Sequence, residues 1–297
     1  MSVTEKPEAP PVQGGWLKTP EPGFYYDVAA ETYHRWDAMS NSWLRVLVDE
    51  CPQVFNWQRA HPKPTTAAME FGTLLHTLVC EPFDFASRYA VAPEVDRRTK
   101  AGKQQWADFN VLAQSREVVT KGDYTAASEM AKAIQSHPTA MRYLQGGRSE
   151  VSIVWDDPEL KIRCKARLDH WHESAVIVAD LKSAANVKPE VFEATSLINY
   201  GYYMQGAFYS DGIRALTGKE PVFVIVAVGK SPPYPVIARP LDPIMAIPAG
   251  RMAYKRALHE YRQCLESGQW PGYDGPNGSQ DALMVPNWLL KQEGLVA

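Results

Sequence analysis

The run Val176-Ile177-Val178-Ala179-Asp180-Leu181-Lys182 reads as an apolar strand that ends in a carboxylate and an ammonium, with Asp169 eleven positions before Asp180. Val, Ile and Ala in series are what a central strand carries. Strand side chains alternate, so Asp180 and Lys182 share one face and Leu181 takes the other. Desolvating two ionisable groups at the edge of an apolar sheet is costly unless they serve something. A divalent cation and an attacking water would use them. A structural Asp–Lys ion pair on a surface hairpin would use them equally well.

Hairpin arithmetic bears on the choice. If Glu173 and Ser174 form a two-residue loop, His172 pairs with Ala175 and Asp169 with Val178. Asp180 then lies diagonal to Asp169 on the same face, at ~7–8 Å between Cβ atoms. Two carboxylates so placed can reach one ion between them, and hard oxygen ligands favour magnesium or manganese. An odd-length loop would put them on opposite faces.

Further along, Gln205 and Tyr209 are four apart on an expected helix and share a face. Tyr209 could also be a core aromatic. Asn199, Tyr200, Tyr202 and Tyr203 make the start of that helix rich in hydrogen-bonding groups. His76 follows Gly72 by one helical turn; a lone histidine there is either structural or a ligand.

The elements that must position these groups follow from patterning. Residues 1–35 hold Pro7, Pro10, Pro11, Pro20 and Pro22 and read as a flexible segment. Helices are expected from about Ser40 or Ser42 to Pro52, from Ala67 to Val79 and from Tyr124 to Leu144, with a basic loop over residues 92–106. Residues 36–146 thus form a helical region carrying His76. Period-two patterning then predicts strands over Glu150–Trp155, Leu160–Trp171 and Ala175–Lys182. A long helix over Pro189–Leu216, strands over Val222–Val228 and Val236–Arg239, and a helix over Ala249–Leu265 complete a core spanning 147–270. A Gly-, Pro- and Asn-rich tail covers 271–297. The expected class is α/β, one catalytic domain from about residue 36, with a mixed sheet flanked by helices and an N-terminal helical extension.

Composition narrows the function. The 297 residues carry a net charge of −3, so no global basic signal for passive nucleic-acid coating is present. Cys51, Cys80, Cys164 and Cys264 lack zinc spacing and read as thiols of a reducing cytoplasm. No apolar run approaches the ~20 residues of a membrane span, and no signal peptide is visible.

Gly72-xxx-His76, Glu150 at a strand start, Asp169, Asp180-x-Lys182 and Gln205-xxx-Tyr209 occur in that order. The series resembles the PD-(D/E)XK nuclease superfamily in its RecB-like branch, closest to phage and prophage RecE-like exonucleases (exodeoxyribonuclease VIII). Met39-Ser40-xx-Trp43-Leu44, Glu70-Phe71-Gly72-Thr73-Leu74-Leu75-His76, Asp96-Arg97-Arg98-Thr99-Lys100, Gly201-Tyr202-Tyr203-Met204-Gln205 and Gly268-Gln269-Trp270-Pro271-Gly272-Tyr273 add to the likeness, which runs from about residue 35. The resemblance implies a restriction-endonuclease-like core and an enzyme that removes one strand of linear duplex DNA from its 5′ end. It implies Mg2+, with Mn2+ as substitute, held by His76, Asp169, Asp180 and the Leu181 carbonyl. Lys182 would position water, Gln205 and Tyr209 would hold the DNA backbone or the lysine, and Glu150 would reach a metal through water or bind a second ion. It further implies duplex DNA ends, a RecT-like single-strand annealing protein and a homo-oligomeric ring as partners, in the cytoplasm of a bacterial host, from a phage or prophage.

Candidate DNA contacts are the cluster Arg97, Arg98, Lys100 and Lys103, and the strand residues Lys161, Arg163, Lys165 and Arg167. Two other functions stay open: an endonuclease or nickase on the same core, and a catalytically silent DNA-binding protein. An iron–sulfur version is disfavoured, because only Cys264 follows the core.

Overall fold

The computed structural model describes residues 15–62, 64–279 and 281–295. Its main sheet has six strands: β1 (Gly23–Tyr25), β4 (Arg148–Asp156), β5 (Arg163–His172), β6 (Ile177–Ala184), β7 (Val222–Gly229) and β8 (Val236–Pro240), side by side in that order. β6 and β7 run parallel and every other neighbour pair is antiparallel. Two short strands, β2 (Tyr89–Val91) and β3 (Glu117–Val119), form a separate parallel pair.

Helices cover both faces of the large sheet. The N-terminal part supplies α1 (Ala30–Arg35), α2 (Asn41–Asp49), α3 (Pro52–Ala60), α4 (Ala67–Cys80), α5 (Phe85–Arg88), α6 (Lys100–Ala113), α7 (Lys121–Gln135) and α8 (Pro138–Leu144). The C-terminal part supplies α9 (Pro189–Ala194), α10 (Ser196–Asn199), α11 (Tyr202–Thr217), α12 (Ala246–Ser267) and α13 (Asn287–Gln292). On one face Val178, Ala184, Phe223 and Ile225 pack with Met204, Phe208 and Ile213 of α11, Tyr254 and Leu258 of α12, and Leu44 and Leu47 of α2. On the other face Ala179, Leu181, Val224, Val226 and Val228 pack with Leu75 of α4, Met130 and Ile134 of α7, and Ala140 of α8. This alternation along β6 and β7 is what period two dictates for a strand buried on both sides. The expected mixed sheet flanked by helices is therefore present.

α11 and α12 are joined by charge as well as packing. Buried Asp211 accepts from Arg251 Nε and Nη2 at 2.7 Å each, and from Tyr254. Gly250 lets α12 approach closely: a Cβ there would lie 2.2 Å from the Tyr203 carbonyl.

Four expectations need correction. The helix over Pro189–Leu216 is three pieces: it breaks first at Thr195, which leaves the helical conformation, and again at Gly201, whose φ of 63 is left-handed. The helix over Tyr124–Leu144 divides at Pro138, which cannot continue the hydrogen-bond ladder. The β5–β6 loop holds residues 173–176, two more than expected, and His172 pairs with Ile177. The expected flexible segment over 1–35 lies partly outside the described residues, but from residue 15 it is laid on the fold: β1 pairs with β4, and Tyr33 and Trp36 pack on Val154. Counting prolines missed the aromatic anchors that follow them. Among the described residues no helix is long and apolar enough to cross a membrane.

Candidate active site

Five elements of the main sheet and its flanking helices converge on one place. β6 brings Asp180, Leu181 and Lys182, β5 brings Arg167 and Asp169, β4 brings Glu150, α4 brings His76 and α11 brings Gln205 and Tyr209. Thr66 caps α4 by accepting from the Met69 N–H, and burial of Leu74 and Leu75 fixes the helix's rotation. His76 is thereby turned toward the sheet.

The β4–β5 ladder breaks where the acids sit. Ser149 pairs with His170 and Val151 with Leu168, but Glu150 between them has φ 54 and makes no ladder pair. Leu168 and Trp171, an odd number of residues apart, both enter the same core, so side-chain alternation is locally irregular here although no residue is inserted in either strand. The pairing offset is the same on either side, so Asp169 lies directly opposite Glu150, and its Oδ2 accepts the Leu181 N–H at 2.7 Å. Continuing the observed β5–β6 register sets Asp169 directly across from Asp180 rather than diagonal to it. The longer loop is still even-numbered, but the two side chains find different neighbours: Asp180 meets Gln205 of α11 and Asp169 meets His76 of α4.

His76 Nδ1 stands 3.6 Å from Asp169 Oδ2 and 3.9 Å from Glu150 Oε1, and its Nε2 is 3.1 Å from the Leu181 carbonyl oxygen. His76, Glu150 and Asp169 offer one donor atom each within 4.8 Å of one another. Beside them, fully buried Asp180 accepts from Gln205 Nε2 at 2.7 Å and pairs with Lys182 Nζ at 2.6 Å. The ammonium also lies 5.0 Å from the centre of the Tyr202 ring. Tyr209, buried one turn after Gln205, interacts with that side chain. The triad opens into a cleft of about 340 Å³ whose walls include His34, Gly72, Arg88 and Arg167.

The protonation states follow from this crowding. Burial would lower the His76 pKa, but the Asp169 charge and the Glu150 hydrogen bond outweigh it and raise it to about 9. Burial also works against ionised Glu150; its hydrogen bonds to His76 and Arg167 win and hold it at about 2. Asp169 goes the other way, to about 6, because burial and the Asp180 charge outweigh the imidazolium and Lys182. Burial opposes charged Lys182, yet Asp180 and Asp169 keep it protonated well above the usual lysine range. Lys182 is therefore a fixed cation at neutral pH, a donor rather than a base.

The candidate DNA contacts behave differently. Arg97, Arg98, Lys100 and Lys103 are exposed, Arg97 with its guanidinium 4.2 Å from the Trp106 ring centre, and none of the four lines the cleft. Lys165 is corrected: it is 2% exposed, and its ammonium donates to the carbonyls of Tyr33, His34 and Trp36, leaving nothing to offer a phosphate. Strand alternation put it on a polar face, and the N-terminal segment covers that face. Arg167 does line the cleft, but it binds Glu150 and donates to the Val28 carbonyl at 2.8 Å. Sequence reasoning missed His34 on the cleft wall, since it lies in the segment read as flexible.

The family model described as "PDDEXK-like domain of unknown function (DUF3799)" matches residues 40–279. A crystal structure from Eubacterium rectale named "Putative exonuclease" shares the fold, with a TM-score of 0.60 at 14% identity over 92% of this chain and 100% of that one. No curated protein matches the chain. The ordered carboxylates, the lysine beside them and a family match over most of the length lead to one assignment: the chain belongs to the PDDEXK-like DUF3799 family, in the PD-(D/E)XK nuclease superfamily.

Proposed function

We propose that this protein is a divalent-metal-dependent exodeoxyribonuclease acting on linear duplex DNA in the 5′-to-3′ direction. The observation that carries the reading is the convergence of His76, Glu150 and Asp169 within 4.8 Å, with the Lys182–Asp180 pair alongside. One imidazole nitrogen and two carboxylates are a fitting donor set for Mg2+ or Mn2+. The Leu181 carbonyl holds the ring from its other nitrogen, Nε2, which orients Nδ1 toward the two carboxylates, and Asp180 lies nearby.

A bound ion would polarise the scissile phosphate and make its water more acidic. The chain's own residues do the rest. Lys182 donates hydrogen bonds to the attacking water or a phosphate oxygen, and Asp180 holds it charged and in place. Gln205 fixes the Asp180 carboxylate, and Tyr209 backs Gln205. Arg167 holds Glu150 against His76. The product would carry a 3′ single-stranded overhang, the substrate of a RecT-like annealing partner in phage-type recombination in the bacterial cytoplasm. A homo-oligomeric ring around the duplex would keep the enzyme on one strand.

Linear, nicked and closed circular duplexes incubated with magnesium test this. Progressive loss of linear DNA from 5′ ends, with closed circles intact, is the expected result. Cleavage of closed circles would make the enzyme an endonuclease, and no cleavage with magnesium or manganese would leave a silent DNA-binding protein.

The raised His76 pKa gives a second expectation. A metal needs the neutral imidazole, so it must displace a proton at neutral pH. Apparent magnesium affinity should climb with pH, by up to ~10-fold per unit while His76 titrates below about 9. Calorimetry in two buffers of different ionisation heat should show about one proton released. Affinity that ignores pH would take His76 out of the ligand set.

A further inference from the structure

A second groove, of about 390 Å³, lies where β4 begins, between the N-terminal segment and the β5–β6 loop. Tyr26, Gly147, Arg148, Trp171, His172 and Glu173 are among the residues lining it. Arg148 is exposed, and its guanidinium sits 4.6 Å from the centre of the Tyr26 ring, which is itself 38% exposed.

The partners of the neighbouring arginines decide what this means. Arg167 is committed to Glu150 and to the Val28 carbonyl, and Arg88 is paired with Glu81 at 2.8 Å. For Arg148, no carboxylate among the described residues lies within ion-pair distance, Glu173 included. An aromatic ring orients a guanidinium through its quadrupole without cancelling the charge or occupying the N–H donors. The result is a positioned, unneutralised cation, the form in which arginine binds phosphate.

The position relative to the acids is set by covalent geometry. Arg148 is two residues before Glu150 on β4, about 6–7 Å along a strand. Neighbouring phosphates of one strand, which winds as it rises, stand about 6–7 Å apart, so this is about one nucleotide from the phosphate held at the acids. We propose that Arg148, steadied by Tyr26, binds the backbone phosphate of the substrate strand next to the scissile one. The assignment rests on the nuclease reading of the cleft.

The test uses the full chain with Lys182→Ala as background, so that DNA survives. Binding of a 3′-fluorescein oligonucleotide is followed by anisotropy across a salt series. Arg148→Gln should weaken binding about tenfold and lower the salt slope by about one. Tyr26→Ala should shift both in the same direction, and Tyr26→Phe, which keeps the ring, should restore them. Arg256→Gln, an exposed cation on α12, is the control and should change neither. An unchanged slope in Arg148→Gln, or an equal loss in Arg256→Gln, overturns the subsite. Failure of the parent enzyme to cut any DNA, with the Arg148 slope contribution present, would instead remove the nuclease reading and keep strand binding.

Discussion

Asp180→Asn should cut phosphodiester hydrolysis by roughly a hundred- to a thousandfold, the size of loss expected when one preorganised electrostatic contact is removed. The side chain keeps its shape and its contact with Gln205, so the change is one of charge. Asp180 is fully buried, and Lys182 is nearly so. Removing the negative partner leaves an ammonium in a poorly hydrated site, at a cost of about 3–5 kcal/mol. Stability and activity must therefore be separated. Asp180→Asn with Lys182→Met removes both charges and should regain much of the lost Tm while regaining no turnover. Lys182→Met alone should also be inactive, and the two single losses should not multiply in the pair, because both side chains act as one unit. Rates are read on end-labelled linear duplex with magnesium, alongside thermal unfolding. Near-parental turnover in Asp180→Asn would detach this pair from the chemistry.

That pair was legible because period two is rigid. Asp180 and Lys182 had to share a face once β6 was a strand, and the structure joins them. The register that brings Asp169 across from Asp180 was only half legible. The turn runs through Val176 at φ 54, a conformation a β-branched residue rarely takes, so turn chemistry gave no warning of a four-residue loop. Glu150 and Asp169 meet because the β4–β5 register sets them directly opposite, and that register depends on a loop whose length the sequence did not fix in advance. His76 could be placed on a helix but not against an acid, since nothing local says which face of α4 meets the sheet. Gly201, flanked by the weak helix formers Asn199, Tyr200, Tyr202 and Tyr203, could have signalled the break before α11. Arg167 and Lys165 show the limit of alternation most clearly. A strand face that looks polar in sequence is exposed only if nothing distant covers it.

Lys165→Met is expected to destabilise the fold by about 3–5 kcal/mol, without acting through DNA. The ammonium donates to the carbonyls of Tyr33 at 2.8 Å, His34 at 3.0 Å and Trp36 at 2.7 Å. Tyr33 and His34 belong to the last turn of α1, and Trp36 is its C-cap. Helix ends leave carbonyls without intrahelical partners, and a cation there also meets the negative end of the dipole. With six residues, α1 is too short to persist by itself. Burial and the nearby Arg59 charge pull the Lys165 pKa down to about 7, while the three carbonyls favour keeping the proton. Methionine fills the stem's space but leaves buried acceptors unpaired, each at about 1–3 kcal/mol. The Tm should drop by roughly 6–20 °C, taking ~2–4 °C per kcal/mol. Amide exchange should rise first over residues 15–36, where the segment is latched to the sheet. Activity should fall with it, because Ala30 and His34 form a wall of the cleft and the Val28 carbonyl holds Arg167, which in turn holds Glu150. A phosphate-contact role makes the opposite forecast: an unchanged Tm with a weaker salt dependence of DNA binding. Finding that pattern would mean that Lys165 leaves its three carbonyls when DNA binds, and the N-terminal segment would then be a cover the substrate displaces.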